Sequence, residues 1–374
     1  MDKEKNIGLY IHIPFCAHKC DYCDFISFEN IKGKINQYIE ALIKELEHEK
    51  LDRYNIETIY IGGGTPSFIE SKYIVQILSK INKENAKEIT IEVNPGTVTE
   101  EKLKDYIKAG VNRISIGLQS TDDAILKQIG RIHNFEQFLE TYKLARKVGF
   151  KNINVDLMIG LPNQSLKIVE DSLEKVIELN PEHISVYSLI VEENTKIEGK
   201  ISNGILELPS EELERKMYWL VKNKLEEAGY KHYEISNFAK PGFESKHNVD
   251  CWEQKEYIGI GLAAHSYMNK ARYSNTANFE KYCENPMENR TVHEHQTEET
   301  QAKEYMLLGL RKIDGVNIQK FKNKFIQNPI YLYKDKLNKL VKNNLLEIDI
   351  NYIKLTDKGI DLANIVWEEF IWIM

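Results

Sequence analysis

The 374-residue sequence predicts an α/β fold, a partial (β/α)6 barrel with a smaller C-terminal α+β domain. Three observations predict it. Strand-like apolar runs alternate with helix-period segments through the first two-thirds of the chain, and residues able to do chemistry stand late in each run or just after it. Near the C-terminus the pattern changes to helices followed by a short hairpin. Six βα units in succession imply parallel strands, because parallel neighbours need crossover connections, and their converging carboxyl ends imply one shared site.

The first strand is read at 9–13, and the helix after it from Ile35, Tyr38, Ile39, Leu42, Ile43 and Leu46 at helical spacing. A strand at 58–61 runs through Gly62-Gly63-Gly64 to a helix after Ser67; one at 88–93 precedes a helix from Thr99; one at 112–118 precedes helical material over 121–148. Strands at 152–158 and 183–189 complete the six, and Ser210 and Gly229 bracket a helix as N-cap and C′ residues before a strand at 233–235. From Pro241 the segments 246–252 and 259–267, rich in Gly, Asn and aromatic residues, read as irregular. Beyond Glu298 come a helix at 302–311, lysine-rich helical stretches to Lys342, and strands at 345–348 and 352–355, a winged-helix-like order. The expected division is a barrel over 1–240, a linking region over 241–295 and a winged-helix-like domain over 296–374.

Composition narrows the function. With 42% hydrophobic and 29% charged residues the chain is neither disordered nor fibrous, and 50 basic against 57 acidic residues give a net charge of −7 with no global pull toward nucleic acid. The lysines between 320 and 342 alternate with Phe321, Phe325, Leu337 and Leu340, as on a solvated amphipathic face, so no nucleic-acid partner is expected. No apolar run is long enough to span a bilayer, and the charged start over 1–5 leads into no secretory segment, so a cytoplasmic protein is expected. Five cysteines form no disulfide framework.

Three of them, Cys16, Cys20 and Cys23, lie within eight residues after the first strand. Thiolates so close on one loop suit a soft metal site. Structural zinc would take a fourth ligand such as His12 or His18; a [4Fe–4S] cluster on three thiolates would keep one iron open for a chelating ligand.

The segment Tyr10-Ile11-His12-Ile13-Pro14-Phe15-Cys16 with Cys20 and Cys23 resembles the cluster loop of radical S-adenosylmethionine (SAM) proteins, in the branch that holds the oxygen-independent coproporphyrinogen dehydrogenases and the heme chaperones. The likeness continues through Gly62-Gly63-Gly64-Thr65-Pro66, Glu92-Val93-Asn94-Pro95, Gly117-Leu118-Gln119-Ser120, Gly130-Arg131-Ile132-His133, Asp156-Leu157-Met158 and Tyr233-Glu234-Ile235-Ser236-Asn237. It implies a radical SAM barrel with a [4Fe–4S] cluster on Cys16, Cys20 and Cys23, its open iron chelated by SAM and its electron used to break the sulfonium bond. It also implies SAM contacts from Tyr10, Gly63, Gly64, Thr65, Glu92, Gln119, Arg131 and Asp156, and from Tyr22 as a contact or as a shield for the cluster.

Within the branch, the dehydrogenases carry a further cysteine two residues after the third ligand and a longer N-terminal extension; here Phe25 stands at that position and 15 residues precede Cys16. Lys246-His247-Asn248-Val249-Asp250-Cys251-Trp252 resembles the His-Asn-x-x-Tyr-Trp segment of the heme chaperones, with Cys251 in place of the tyrosine. The resemblance therefore implies heme as cargo, with His247 in a loop as a candidate axial ligand, and delivery to respiratory or other heme proteins, membrane-bound respiratory enzymes among them. A homodimer is compatible with it. The alternative is oxidative decarboxylation of coproporphyrinogen III.

Overall fold

The computed structural model describes residues 5–29 and 32–371; the charged start over 1–4 lies outside them. Its centre is six parallel strands in chain order, β1 (Lys5–Ile13), β2 (Tyr54–Gly63), β3 (Glu88–Val93), β4 (Arg113–Gln119), β5 (Ile153–Ile159) and β6 (His183–Ser188). Each pairs with the next in parallel register. The partial (β/α)6 barrel with a smaller C-terminal domain is thus observed.

Alternation along the strands sorts the side chains. In β1, Leu9, Ile11 and Ile13 are fully buried in the main core under the helices, while Gly8, Tyr10 and His12 belong to the other face. The same alternation sets Thr58, Tyr60 and Gly62 of β2 and Glu88, Thr90 and Glu92 of β3 on the inner face, so the barrel has a polar interior. The helices Ile35–His48, Ser71–Ser79, Glu100–Lys108, Phe135–Val148 and Leu166–Leu179 lie in the five crossovers, and Glu211–Glu227 follows β6. Local capping fixes several of them: Thr99, Asn134, Ser165 and Ser210 each accept a hydrogen bond from an N–H of the first turn. The expected helical stretch over 121–148 is two helices, Asp123–Gln128 and Phe135–Val148, parted at Gly130, whose φ of 77° suits glycine.

The segment 241–295 contains regular elements where irregular backbone was expected. Residues Lys246–Trp252 form a helix, and β9 (Tyr257–Ile260), after β7 (Lys231–Glu234) and β8 (Asn237–Ala239), pairs in parallel with β1. With β10 (His265–Met268), β11 (Ala271–Ser274) and β12 (Thr291–His295) it carries the sheet past β1, while β8 and β7 extend it antiparallel past β6. Glu45, fully buried on the first helix, fastens this side by accepting from Gly261 N–H, Asn275, Tyr282 and Arg290. Beyond it, β13 (Val316–Asn317), β14 (Leu346–Ile348) and β15 (Tyr352–Leu355) form a separate small sheet, and Met306, Phe321, Leu337, Leu340, Ile353 and Val366 build a core of their own. Among the described residues no helix is long and apolar enough to cross a membrane.

Candidate functional site at the barrel mouth

A cavity of about 460 Å³ opens at the carboxyl ends of the strands. Cys16, Cys20, Cys23 and Tyr22 from the loop after β1 line it, with Gly63, Gly64 and Thr65 after β2, Glu92 of β3, Gln119 of β4, Arg131 beyond it and Asp156 of β5. Eleven of the predicted site residues are therefore brought to one cavity; Tyr10 and His247 are not among its lining.

The cluster loop is closed by backbone pairs at its base, Cys16 N–H to Phe28 O and Phe28 N–H to Pro14 O. The turn after β2 lies directly against it, with Gly64 N–H on Ile13 O and Thr65 N–H on Phe15 O. A Cβ on Gly64 would meet the Phe15 backbone at 2.9 Å, and one on Gly63, at φ 112°, would meet the His12 ring at 2.5 Å. The glycines thus serve the packing of loop on loop as well as the cavity wall. Thr65 Oγ donates to Cys16 Sγ at 3.5 Å and accepts from Asn94 Nδ2 at 2.9 Å. Burial raises the Cys16 thiol and pushes the Cys23 thiol up to about 11.

Opposite the thiols stand two carboxyl groups. Glu92 accepts from Tyr60 O–H at 2.8 Å and Gly63 N–H at 3.2 Å, and burial pushes it up to about 7 despite those donors. Asp156 accepts from Ser115 O–H and Asn154 Nδ2 and is raised by burial as well. Arg131 holds Asn94 Oδ1 at 3.0 Å and lies over the Tyr22 ring, while its buried Nε has no partner, a donor fit for a ligand carboxylate. Gln119 sits at φ 73° where the β4–β5 register slips, a bulge that re-aims the strand end. Asn94, Tyr60, Ser115 and Tyr187 also line the cavity and were not singled out as ligand contacts, although the inner-face alternation through Glu92, Gly117 and Asp156 carries that information.

Tyr10 lies deeper, on the inner face of the barrel. Its hydroxyl meets His12 Nδ1 at 2.9 Å, its ring stacks on Tyr60, and His12 Nε2 reaches Ile26 O at 3.0 Å on the return leg of the cluster loop. His12 is pushed down to about 4 by burial, so it is the neutral imidazole that ties this strand to the loop. His247 is at the other end of the barrel. The expected loop is a helix, because Glu88, at the start of β3, accepts the N–H groups of Lys246 and His247 and the Ser245 hydroxyl. The His247 ring is buried beneath Tyr60 with Nδ1 2.9 Å from Thr58 Oγ, and burial pushes it down to about 4. In this position it reaches a ligand at the mouth only if the helix leaves the barrel floor.

A six-stranded parallel barrel with three clustered cysteines at its mouth is the architecture of the radical SAM proteins, and the chain belongs to that superfamily: residues 10–176 match the Radical SAM superfamily and 296–362 the HemN C-terminal domain. Within it, the chain belongs to the heme chaperone HemW family. It is 40% identical over 373 residues to the heme chaperone HemW of Lactococcus lactis, covering 98% of each chain, and 39% identical to that of Bacillus subtilis over 97% of this chain and 98% of that one. Its fold matches the coproporphyrinogen III oxidase HemN of Escherichia coli with a TM-score of 0.84 and 21% identity, over 98% of this chain and 90% of that one. Membership of the superfamily implies a [4Fe–4S] cluster and SAM as cofactors.

Proposed function

We propose that this protein carries heme and hands it to acceptor heme proteins, with a [4Fe–4S] cluster and SAM at the barrel mouth. The observation that carries the reading is the similarity to relatives named heme chaperones along the whole length of both chains.

Cys16, Cys20 and Cys23 would hold the cluster, which supplies an open iron and an electron for SAM. The donor chemistry fits: three thiols from one loop face one cavity, and three thiolates on a four-iron cluster leave one iron open for a chelating ligand. Of the two histidines near the loop, His12 has both ring nitrogens engaged and is no ready fourth ligand for zinc. Arg131 would take the SAM carboxylate, while Glu92 and Asp156 would accept from amino and ribose hydroxyl groups. Gln119 would add a polar contact, Gly63, Gly64 and Thr65 would form the wall on the cluster side, and Tyr22 would shield it.

The division at 240/241 and 295/296 would give the barrel the cofactors and the C-terminal unit a covering or partner-docking role. Acceptors would be respiratory or other heme proteins, some membrane-bound, met from the cytoplasm by a monomer or homodimer. Phe25 replaces the further cysteine of the dehydrogenases, so coproporphyrinogen decarboxylation is not expected. Anaerobic purification with cluster reconstitution, followed by separate heme-binding and coproporphyrinogen-turnover assays, tests the reading. Heme retention and transfer without turnover is the expected result; turnover without heme retention would overturn it.

A further inference from the structure

His18 is the feature of the mouth that the cluster and SAM leave unused. It follows Cys16 by two residues and lines the cavity, and its side chain is 34% exposed. Its Nδ1 stands 3.1 Å from a carboxylate oxygen of Glu29, which also accepts the N–H of Lys19 and so is held from behind. An imidazole whose Nδ1–H is given to a carboxylate keeps the Nε2 lone pair for an external metal and is made a stronger donor by that partner. The surroundings describe the ligand. Phe25 and Ile190 are 64% and 69% exposed although both line the same cavity, and Tyr187 beside them is also exposed. Large apolar side chains left open together around a cavity mark a binding face. Lys19 adds an ammonium group at the rim, where its Nζ meets Phe25 O.

We propose that heme docks at this mouth, with His18 Nε2 as its axial ligand, Glu29 orienting that imidazole, and Phe25 and Ile190 covering the macrocycle. The inference rests on the heme-carrying reading and names its site. A planar apolar ring with an iron at its centre and carboxylates at its edge matches an imidazole, apolar walls and a cation. The placement differs from the one implied by the His-Asn-x-x-Cys-Trp segment, since His247 lies under the barrel floor with its Nδ1 on Thr58. It brings heme beside the cluster loop.

The test is an anaerobic heme titration of the cluster-loaded full chain, followed by Soret absorption and by the EPR of the ferric heme. His18→Ala is expected to weaken heme binding by at least about tenfold and to change the axial-ligand signature, while His247→Ala stays within about twofold of wild type. Added imidazole should restore the wild-type signature in His18→Gly, which separates ligand loss from misfolding, and Glu29→Gln should shift the heme EPR with the imidazole still bound. An unchanged cluster signal in each variant shows that the loop is intact. Heme bound by His18→Ala with wild-type affinity and spectrum, or lost only in His247→Ala, would overturn the assignment and leave the heme-carrying reading standing. A wild-type chain that takes up no heme would instead overturn that reading itself.

Discussion

Replacing Glu92 by Gln tests the electrostatics of the site without changing its shape. Burial displaces the Glu92 carboxyl from its ordinary 4.5 to about 7, because the Tyr60 hydroxyl and the Gly63 N–H do not make up for lost water. The displacement corresponds to about 3 kcal/mol. The folded value lies above the unfolded one, so the group favours folding most below about 4.5, and that contribution is lost as pH rises through about 7. Glutamine removes the titration and gives up one acceptor oxygen, about 1 kcal/mol. The cofactor-free variant should therefore be about 2 kcal/mol more stable than wild type at about pH 8, with most of that advantage gone at about pH 5.5. The same variant should bind SAM more weakly if, as proposed, the carboxylate that disfavours the empty fold is the one to meet the ligand's amino or hydroxyl groups. Urea unfolding of both proteins at the two pH values, with SAM binding measured by calorimetry, reads the two effects. Equal stability differences at both pH values would refute the reasoning.

In wild type, SAM affinity should fall by up to about tenfold per pH unit below about 7, with proton release on binding seen as a calorimetric heat that differs between buffers of unlike ionisation heat; affinity independent of pH over that range would count against Glu92 as a ligand contact. Gly63→Ala should lower the melting temperature well beyond Gly149→Ala, because both sites have left-handed backbone but only Gly63 faces a side chain, the His12 ring, within van der Waals distance. Asp21→Asn should loosen the helix Lys196–Ser202, whose Lys200 pairs with Asp21 and whose Ile197 N–H bonds Asp21 O, and faster hydrogen exchange over 196–202 would register it. Glu88→Ala should cost about 2 kcal/mol and raise hydrogen exchange over 246–252, since three donors lose their acceptor.

The parts of the fold legible in the sequence are those fixed by local chemistry. Six apolar runs, each followed by a helix-period segment, needed only periodicity, with cap residues marking several of the helices, and the cysteine loop needed only spacing. The helix Lys246–Trp252 was not legible because its own N-cap residue, Ser245, makes no side-chain cap bond; the first-turn N–H groups are satisfied by Glu88, far upstream. Strands β9 to β12 are only four or five residues long, and β9, which carries Gly259, gains its regularity from pairing with β1. The position of Tyr10 was readable in part: alternation sets it with Gly8 and His12 on the inner face, but how far it lies below the mouth depends on where Tyr60 and His12 meet it. His18 carried only the suggestion of a zinc ligand, since its partner Glu29 is brought close by the closure of the loop.

The central claim is that Cys16, Cys20 and Cys23 hold a four-iron cluster with one iron open to SAM. EPR of the anaerobically reconstituted, reduced protein with and without SAM tests it most directly. The account predicts a [4Fe–4S]⁺ signal that changes when SAM is added and is lost on replacing any of the three cysteines by alanine. A reconstituted protein with no such signal, or with one indifferent to SAM, would contradict it.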